Sequence, residues 1–315
     1  MSIIEKALDK SRSRPLPPGA DRSGEKTVGE TVPESTHGPA RGPARGPVAT
    51  PRQAVNGTAP AAPPVRESRQ VTLDFGWLRR QGFIVPDDER TGLTEEFRAI
   101  KRPVLDNAFG RNRAMRIPNG RLVMITSALP GEGKTFCTLN LALSMALEVN
   151  RTVLLVDADV ARPTLPRTLG IDCDRGLMDV LTEPEVSIPD VLVRTNIPNL
   201  SILPAGRPHG RSTEVLASPA MMNLLEELNR RYDDRIILFD TPPLLATSEP
   251  GVLAAHMGQI VMVVEAERTP RSSVERAMEQ LQQCDVVLTT LNKSTRNAEM
   301  GGYYARPYGV DSYGR

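Results

Sequence analysis

The sequence lacks an excess of either charge, because 39 Lys and Arg residues are balanced by 38 Asp and Glu residues among 315. A net charge of +1 gives no electrostatic argument for nucleic-acid binding. The sequence also lacks an apolar run long enough to cross a bilayer, and it does not begin with a secretory signal. We therefore predict a cytoplasmic protein that binds no nucleic acid and reaches the membrane only through a partner.

Cysteine is scarce and scattered. The three residues of this type, Cys137, Cys173 and Cys284, stand far apart and lack the spacing of a metal site or a disulfide framework. We interpret them as buried or incidental thiols in a reducing compartment.

Large apolar residues are almost absent from residues 11–70, which are rich in Pro, Gly, Arg, Ser and Thr. Such a segment cannot bury enough apolar surface to offset its ordering entropy, so we predict a disordered linker. Residues 1–10 differ, because Ile3, Ile4 and Leu8 would share one face of a short amphipathic helix. We predict a docking helix there, with a frayed terminus as the alternative.

Order is predicted to begin near residue 71, in a folded domain over 71–292 that precedes a flexible tail over 293–315. A first apolar cluster predicts an extended arm packed on this domain; it comprises Val71, Leu73, Phe75, Trp77 and Leu78. A capped helix is predicted to follow, with Pro103 as a possible bend. Its apolar face is Leu93, Phe97 and Ile100, and its polar face is Glu95, Arg98 and Lys101.

The strongest local pattern is that of a phosphate-binding loop. Leu122–Ile125 is typical of a buried strand, and Gly131–Thr135 (G-E-G-K-T) follows it at the start of an apolar helix. Glycines let backbone N–H groups approach phosphates, Lys134 can reach phosphate oxygens, and the Thr135 hydroxyl can ligate Mg²⁺. Ala128 replaces the first glycine of the usual pattern. The alternative is a glycine-rich structural turn.

Strands and helices are predicted to alternate through the rest of the domain. Apolar runs predict strands at Val153–Val156, Leu200–Leu203, Ile236–Phe239, Ile260–Val264 and Val286–Leu291, and helices at Phe136–Val149, Met221–Arg231 and Ser272–Gln282. This order is typical of an α/β P-loop NTPase of the MinD/ParA kind, with a mostly parallel sheet covered by helices on both faces. Ligands are then expected at the carboxyl ends of the strands.

Aspartates follow two of these predicted strands. Asp157 and Asp159 follow Val153–Val156, and Asp240 follows Ile236–Phe239. Neighbouring parallel strands would bring these carboxylates to the phosphate loop, where one can bind Mg²⁺ and another can polarise an incoming hydroxyl or water. The alternative for an isolated aspartate at this position is a helix cap.

Tyrosine is concentrated at the end of the chain. Four of the five tyrosines are Tyr303, Tyr304, Tyr308 and Tyr313. The surrounding sequence is rich in glycine and poor in apolar residues, so burial in a core does not explain the enrichment. An adhesive or disordered tail is the alternative to a functional one.

Three motifs together resemble the bacterial protein-tyrosine kinases of capsule and exopolysaccharide export (BY-kinases): S-A-L-P-G-E-G-K-T, V-L-L-V-D-A-D-V-A-R-P and I-I-L-F-D-T-P-P. The N-terminal S-I-I-E-K-A-L also resembles the subgroup encoded beside exosortase-linked polysaccharide loci. The resemblance implies a kinase that uses ATP and Mg²⁺ to phosphorylate its own tyrosine tail. It also implies a ring of subunits and activation by a membrane polysaccharide copolymerase.

Carried over to this sequence, the resemblance implies a role for each matching residue. Those implied to bind nucleotide are Gly131, Glu132, Gly133, Lys134, Thr135, Phe136 and Asn292. Those implied to be catalytic are Lys134, Asp157 and Asp159, with Asp157 as the base. The implied Mg²⁺ ligands are Thr135, Asp159 and Asp240, and the implied phosphoacceptors are Tyr303, Tyr304, Tyr308 and Tyr313.

The sequence departs from the family pattern at two places. The subunit-contact motif E-x-x-R-x-x-R is Glu95-x-x-Arg98-x-x-Lys101 here, and a lysine lacks the bidentate fork of arginine. In the second motif Ala161 stands where the family has arginine, which is displaced to Arg162.

Two other functions remain open from the sequence alone. A ParA/MinD-like ATPase would need a signature lysine at the position of Leu129, and that lysine is absent. A nucleotide-binding regulator without kinase activity, docked on the copolymerase, is the second alternative.

Overall fold

The computed structural model describes residues 69–87, 91–110, 112, 116–231 and 233–294. The predicted helix over 1–10, nearly all of the predicted linker and the tyrosine-bearing part of the tail lie outside these residues. In the described part, no helix is both long and apolar enough to cross a membrane.

Strands and helices are numbered in chain order. The strands are β1 (Arg69–Val71), β2 (Leu122–Ser127), β3 (Thr152–Asp157), β4 (Val193–Thr195), β5 (Leu200–Leu203), β6 (Arg235–Asp240), β7 (Gln259–Glu265) and β8 (Val287–Asn292). The helices are α1 (Phe75–Arg80), α2 (Gly92–Phe109), α3 (Lys134–Ala146), α4 (Leu165–Leu169), α5 (Leu177–Thr182), α6 (Ile188–Val191), α7 (Ser212–Leu216), α8 (Pro219–Arg231), α9 (Glu249–Ala254) and α10 (Arg271–Gln280).

The described strands form one eight-stranded sheet in the order β1-β4-β5-β3-β6-β2-β7-β8. All neighbouring strands are parallel except β4 and β5, which are antiparallel. The carboxyl ends of β3, β6 and β2 therefore lie side by side at one end of the sheet. The predicted fold class, a mostly parallel α/β sheet of the P-loop NTPase type, is confirmed.

Helices cover both faces of the sheet because successive side chains of each strand point to opposite faces. Val123 and Ile125 of β2 pack in one core with residues of α2, α3 and α4. Leu122 and Met124 of the same strand pack in a second core with residues of α5, α7, α8 and α9. This arrangement explains why the central strands are apolar at every position instead of alternating.

Two predictions about the edges of the sheet are wrong. The predicted extended arm is instead the short strand β1 followed by helix α1, whose capping residue Asp74 accepts a hydrogen bond from Trp77 N at 2.9 Å. The last strand, predicted to be buried, is the edge strand β8, in which Leu291 is 62% exposed. Apolar composition alone does not distinguish a central strand from an edge strand, because exposure depends on the neighbours.

Helix α2 is capped, as predicted, and its capping residue is Thr91; it continues without a break from Gly92 through Pro103 to Phe109. Thr91 and Thr94 exchange side-chain-to-backbone hydrogen bonds at its start. Phe97 is buried, as the apolar face predicts. The helix is therefore not interrupted at the proline.

The predicted place of Lys101 on the solvated face of α2 is wrong. Its ammonium group is buried, donates a hydrogen bond to Ser144 O at 2.8 Å and pairs with Glu148 at 2.5 Å. Residues four apart on a helix share a face, and Lys101 is four residues after the buried Phe97. By contrast, Arg98 pairs with Glu95 at the exposed surface of the helix.

Candidate functional site

The predicted phosphate loop connects the end of β2 to the start of α3. Gly131 and Gly133 have φ angles of +86° and +91°, which favour glycine. A Cβ atom on Gly133 would also lie 2.1 Å from Nδ2 of Asn292. Because α3 begins at Lys134, its N-terminal N–H groups and its positive dipole end lie at the loop. The loop therefore has the backbone geometry that anion binding requires.

Two side chains at the start of α3 contact aspartates from the ends of two strands. Lys134 Nζ lies 2.8 Å from Asp159 Oδ2 and 3.9 Å from Asp240 Oδ1. The Thr135 hydroxyl donates a hydrogen bond to Asp240 Oδ2 at 2.7 Å. The structure thus brings residues of three separate sequence motifs into one cluster.

Asp240 is completely buried at the end of β6. Burial raises its pKa, while Lys134 and Thr135 act against that rise. Sequence reasoning missed a further neighbour, Thr138, whose hydroxyl lies 3.1 Å from Asp240 Oδ1. The signal was available, since Thr138 is three residues after Thr135 and both hydroxyls lie on the same face of α3.

Asp157 lies directly beside Asp240 because the two residues are paired in the register of β3 and β6. Its carboxylate accepts hydrogen bonds from Asp159 N and Leu165 N, each at 3.2 Å. Leu165 is the first residue of α4, but the capping residue of that helix is Thr164, so Asp157 is not the helix cap that the sequence left open. Burial, with the added effect of the Asp240 charge, raises the pKa of Asp157 to about 8.

Three of the predicted nucleotide-binding residues have side chains engaged within the protein. The carboxylate of Glu132 is buried and accepts a hydrogen bond from the Thr269 hydroxyl. The ring of Phe136 packs against Phe83, with ring centroids 5.4 Å apart. Asn292 Nδ2 donates a hydrogen bond to Glu132 O at 2.8 Å. Glu132 and Phe136 can therefore offer a phosphate only their backbone.

Other predicted residues lie at the rim of the cluster or beyond the described residues. Arg162 is exposed, and its backbone N–H donates to Asp159 Oδ1 at 3.2 Å. Thr164, which sequence reasoning did not single out, places its hydroxyl 3.4 Å from that of Thr135. The four tail tyrosines lie outside the described residues.

The oxygen donors of the cluster fit a hard cation that binds together with phosphates. The Thr135 hydroxyl and the carboxylates of Asp159 and Asp240 are donors that Mg²⁺ prefers, and Mg²⁺ usually takes one or two carboxylates with phosphate oxygens and waters. Among the described residues, no group of three His, Cys, Asp or Glu side chains is arranged to hold a metal alone. The arrangement thus suits an ion delivered with a nucleotide.

Comparison with known proteins places this site in a family. Residues 120–295, over half of the 315 residues, match the family described as an AAA domain. Tyrosine-protein kinase YwqD of Bacillus subtilis (strain 168) is 33% identical over 232 residues, which cover 72% of this chain and 93% of YwqD. The succinoglycan biosynthesis transport protein ExoP of Rhizobium meliloti (strain 1021) is 34% identical over 237 residues, which cover 74% of this chain.

The chain spans about a quarter of the length of several curated relatives that it matches, 28% in the case of ExoP. Among solved structures, the chimerical protein CapA2B2 superposes with a TM-score of 0.55 at 25% identity, covering 72% of this chain and 93% of that one. The match to YwqD covers 93% of that protein, and the three sequence motifs of this chain meet at one site. The chain therefore belongs to the bacterial tyrosine-protein kinase family.

Proposed function

We propose that this protein is an ATP-dependent protein-tyrosine autokinase that phosphorylates its own C-terminal tyrosines and thereby regulates exopolysaccharide polymerisation and export. The observation that carries the proposal is the convergence of Lys134, Thr135, Asp157, Asp159 and Asp240 at the N-terminus of α3. Family membership supports the kinase activity, and the name of ExoP supports a link to polysaccharide synthesis.

ATP binds with its phosphates on the loop amides and on Lys134. Thr135, Asp240 and Asp159 are the residues that would hold Mg²⁺, which neutralises charge on the phosphate oxygens when bound. Lys134 now pairs with Asp159 at 2.8 Å, and it exchanges this carboxylate for phosphate oxygens when the nucleotide enters. The exchange would free the Asp159 carboxylate as a ligand for Mg²⁺.

In the transfer step, the phenol oxygen of a tail tyrosine forms a bond to the γ-phosphorus while the bond to the β,γ-bridging oxygen breaks and ADP leaves. The phenol proton passes to the carboxylate of Asp157. The raised pKa of Asp157, about 8, gives its ionised carboxylate a higher affinity for the phenol proton than an ordinary aspartate has. The same shift means that this carboxylate becomes available as a proton acceptor only as the pH approaches 8. The Asp157 carboxylate accepts hydrogen bonds from the backbone N–H groups at both ends of segment 159–165. Its role as proton acceptor therefore requires this segment to shift as the tyrosine enters.

The substrate is the chain's own tail, with Tyr303, Tyr304, Tyr308 and Tyr313 as phosphoacceptors. Tyr303 is nine positions after Ser294, a reach of about 30 Å when fully extended. Each phosphate adds roughly −1.5 to −2 charges, so a modified tail is repelled by the acidic cluster and leaves it.

Transfer takes place between subunits of a homo-oligomer, a ring in which the exposed Glu95 and Arg98 lie at the interface. Lys101 is not available for this interface because it is packed against α3. The activating partner is a membrane polysaccharide copolymerase, which docks residues 1–10 and recruits the kinase to the inner face of the membrane.

The test mixes two proteins in the presence of ATP and Mg²⁺. One retains the catalytic cluster but has phenylalanine in place of all four tail tyrosines, and the other retains the tail but carries Lys134→Met. Phosphotyrosine on the Lys134→Met protein is expected, because only transfer between chains can modify it. The experiment is run with and without the cytosolic segment of the copolymerase.

Other outcomes separate the alternatives. A tail that stays unmodified under both conditions, although nucleotide binds, would favour the regulator without kinase activity. ATP hydrolysis stimulated by DNA or lipid would favour the ParA/MinD-like ATPase.

A further inference from the structure

The end of β8 contacts the phosphate loop through two consecutive residues. Asn292 Nδ2 donates a hydrogen bond to Glu132 O at 2.8 Å, and Lys293 Nζ donates one to Gly131 O at 2.7 Å. Both acceptors are backbone carbonyls within the loop itself. The loop is therefore held by a strand that lies more than 150 residues further along the chain.

These two carbonyl contacts determine the direction of loop N–H groups. In a planar trans peptide, the C=O of one residue and the N–H of the next point in opposite directions. Bonding of the Gly131 and Glu132 carbonyls toward β8 therefore directs the N–H groups of Glu132 and Gly133 away from β8. Convergent N–H groups of this kind are what a phosphate loop requires.

Lys293 is itself held in place. Its φ angle of +58° lies in the left-handed region that non-glycine residues seldom adopt. Its ammonium group also pairs with Glu265 at 3.2 Å, and Glu265 pairs in turn with Arg268 at 3.3 Å. The side chain thus bridges the loop to the end of β7 as well as extending from β8.

A third contact holds the loop through the side chain of Glu132. The buried carboxylate of Glu132 accepts hydrogen bonds from Leu129 N at 2.6 Å and from the Thr269 hydroxyl. Thr269 follows β7 by four residues, in the same turn that contains Arg268. The carbonyls and the carboxylate of the loop are therefore anchored to neighbouring parts of one edge of the sheet.

We propose that Lys293 and Asn292 are positioning residues that hold the phosphate loop ready for nucleotide, at the point where the chain enters its tyrosine tail. This proposal adds a positioning role to the proposed kinase function, and it rests on that function for the role of the tail. Lys293, the first residue of the predicted tail, is hydrogen-bonded to the phosphate loop.

Hydrogen exchange of the full-length protein without nucleotide tests the positioning role. Lys293→Met is expected to speed exchange of the amides in residues 131–135 by about fivefold, the effect of losing one charge-assisted bond at a partly exposed site. Lys293→Arg retains the donors and is expected to remain within about twofold of the wild type. The matched control is Arg268→Met, which also removes a partner of Glu265 but no contact to the loop carbonyls.

Affinity for Mg²⁺–ADP is measured on the same variants and is expected to fall about fivefold in Lys293→Met only. Equal exchange in Lys293→Met and the wild type, or equal acceleration in Arg268→Met, would overturn the positioning role. This readout is independent of kinase activity. Faster loop exchange in a protein that never forms phosphotyrosine would retain the positioning role and reject the proposed kinase function.

Discussion

Two lysines contact the phosphate loop region in different surroundings. Lys134, at the centre of the sheet, is 13% exposed and lies between the carboxylates of Asp159 and Asp240. Lys293, at the β8 edge, is 46% exposed and pairs with Glu265. Removing the first leaves buried carboxylates without their cation, whereas water can replace the second. We therefore expect the residues at the centre of the sheet to take part in phosphate transfer, and those at the edge to position the phosphate loop.

The largest expected effect is at the centre. Lys134→Met is predicted to lower the rate of phosphotyrosine formation by about a thousandfold or more, because the phosphate charge loses its closest cation. Lys293→Met is predicted to lower it by no more than about tenfold. Incorporation of labelled phosphate measures both. If the two variants lose the rate of phosphotyrosine formation to a similar extent, the proposed difference between centre and edge is wrong.

The second prediction concerns Asp157 and pH. The raised pKa, about 8 against 3.8, means that the folded protein keeps a proton that the unfolded chain releases. This contribution to stability is present in full below pH 4 and is lost as the pH rises toward 8. Asp157→Asn does not ionise, so it is predicted to be more stable than the wild type by on the order of 3 kcal/mol at pH 8.5 and by little at pH 4.

Urea denaturation of the nucleotide-free protein at several pH values checks the pH prediction. The control is Asp172→Asn, at an exposed position where no such gain is expected. A stability difference between Asp157→Asn and the wild type that does not change with pH would show that Asp157 ionises normally in the folded protein.

The third prediction concerns the close approach of Gly133 in the phosphate loop to Asn292 in the edge strand β8. Gly133→Ala combines a φ angle of +91° with a Cβ atom 2.1 Å from Asn292 Nδ2, and it is predicted to lower the free energy of unfolding by about 2–3 kcal/mol. Gly210→Ala meets no atom within 4 Å and is predicted to change it by less than about 0.5 kcal/mol. Adding Asn292→Ala to the first variant removes the clash and should restore part of the loss. Thermal denaturation of the four proteins measures these differences.

The smallest effect is expected on helix α2. Lys101→Met removes an ammonium group that bonds to Ser144 O and Glu148, and it is predicted to lower stability by about 1–2 kcal/mol. Arg98→Met affects only a surface pair and is predicted to change stability by less than about 0.5 kcal/mol. A change in oligomeric state is expected only for the Arg98 variant, as measured by light scattering. A change in oligomeric state for Lys101→Met but not for Arg98→Met would indicate that Lys101 lies at the subunit interface.

The sequence predicts the centre of the molecule better than its edges. The strands that end at Asp157 and Asp240 are continuous apolar runs because both of their faces are covered, so the runs mark both the strands and the site. The β8 strand is less apolar, since Thr289, Thr290 and Asn292 interrupt it, and Leu291 is exposed because the strand lies at the edge. The polar residues were a local sign of lower burial, but the position of the strand in the sheet is decided by contacts between distant segments.

The same limit applies to individual side chains of the site. The P-loop lysine and the aspartates were predicted because their spacing follows from loop and strand geometry. The contacts of Lys293 with Gly131, and of Glu132 with Thr269, join segments more than 130 residues apart, so they became visible only in the folded chain. Lys101 is a different kind of error, since its spacing from Phe97 already indicated the buried face.

The central claim is that the cluster around Lys134 transfers phosphate to the tail. The most direct measurement is mass spectrometry of the C-terminal peptide after incubation of the purified protein with ATP and Mg²⁺, with and without the copolymerase segment. Lys134→Met and Asp157→Asn are treated in the same way. The account predicts phosphate on Tyr303, Tyr304, Tyr308 or Tyr313 of the wild type and none on either variant. A tail that stays unmodified under both conditions, or one that is still modified in the Lys134→Met protein, would contradict it.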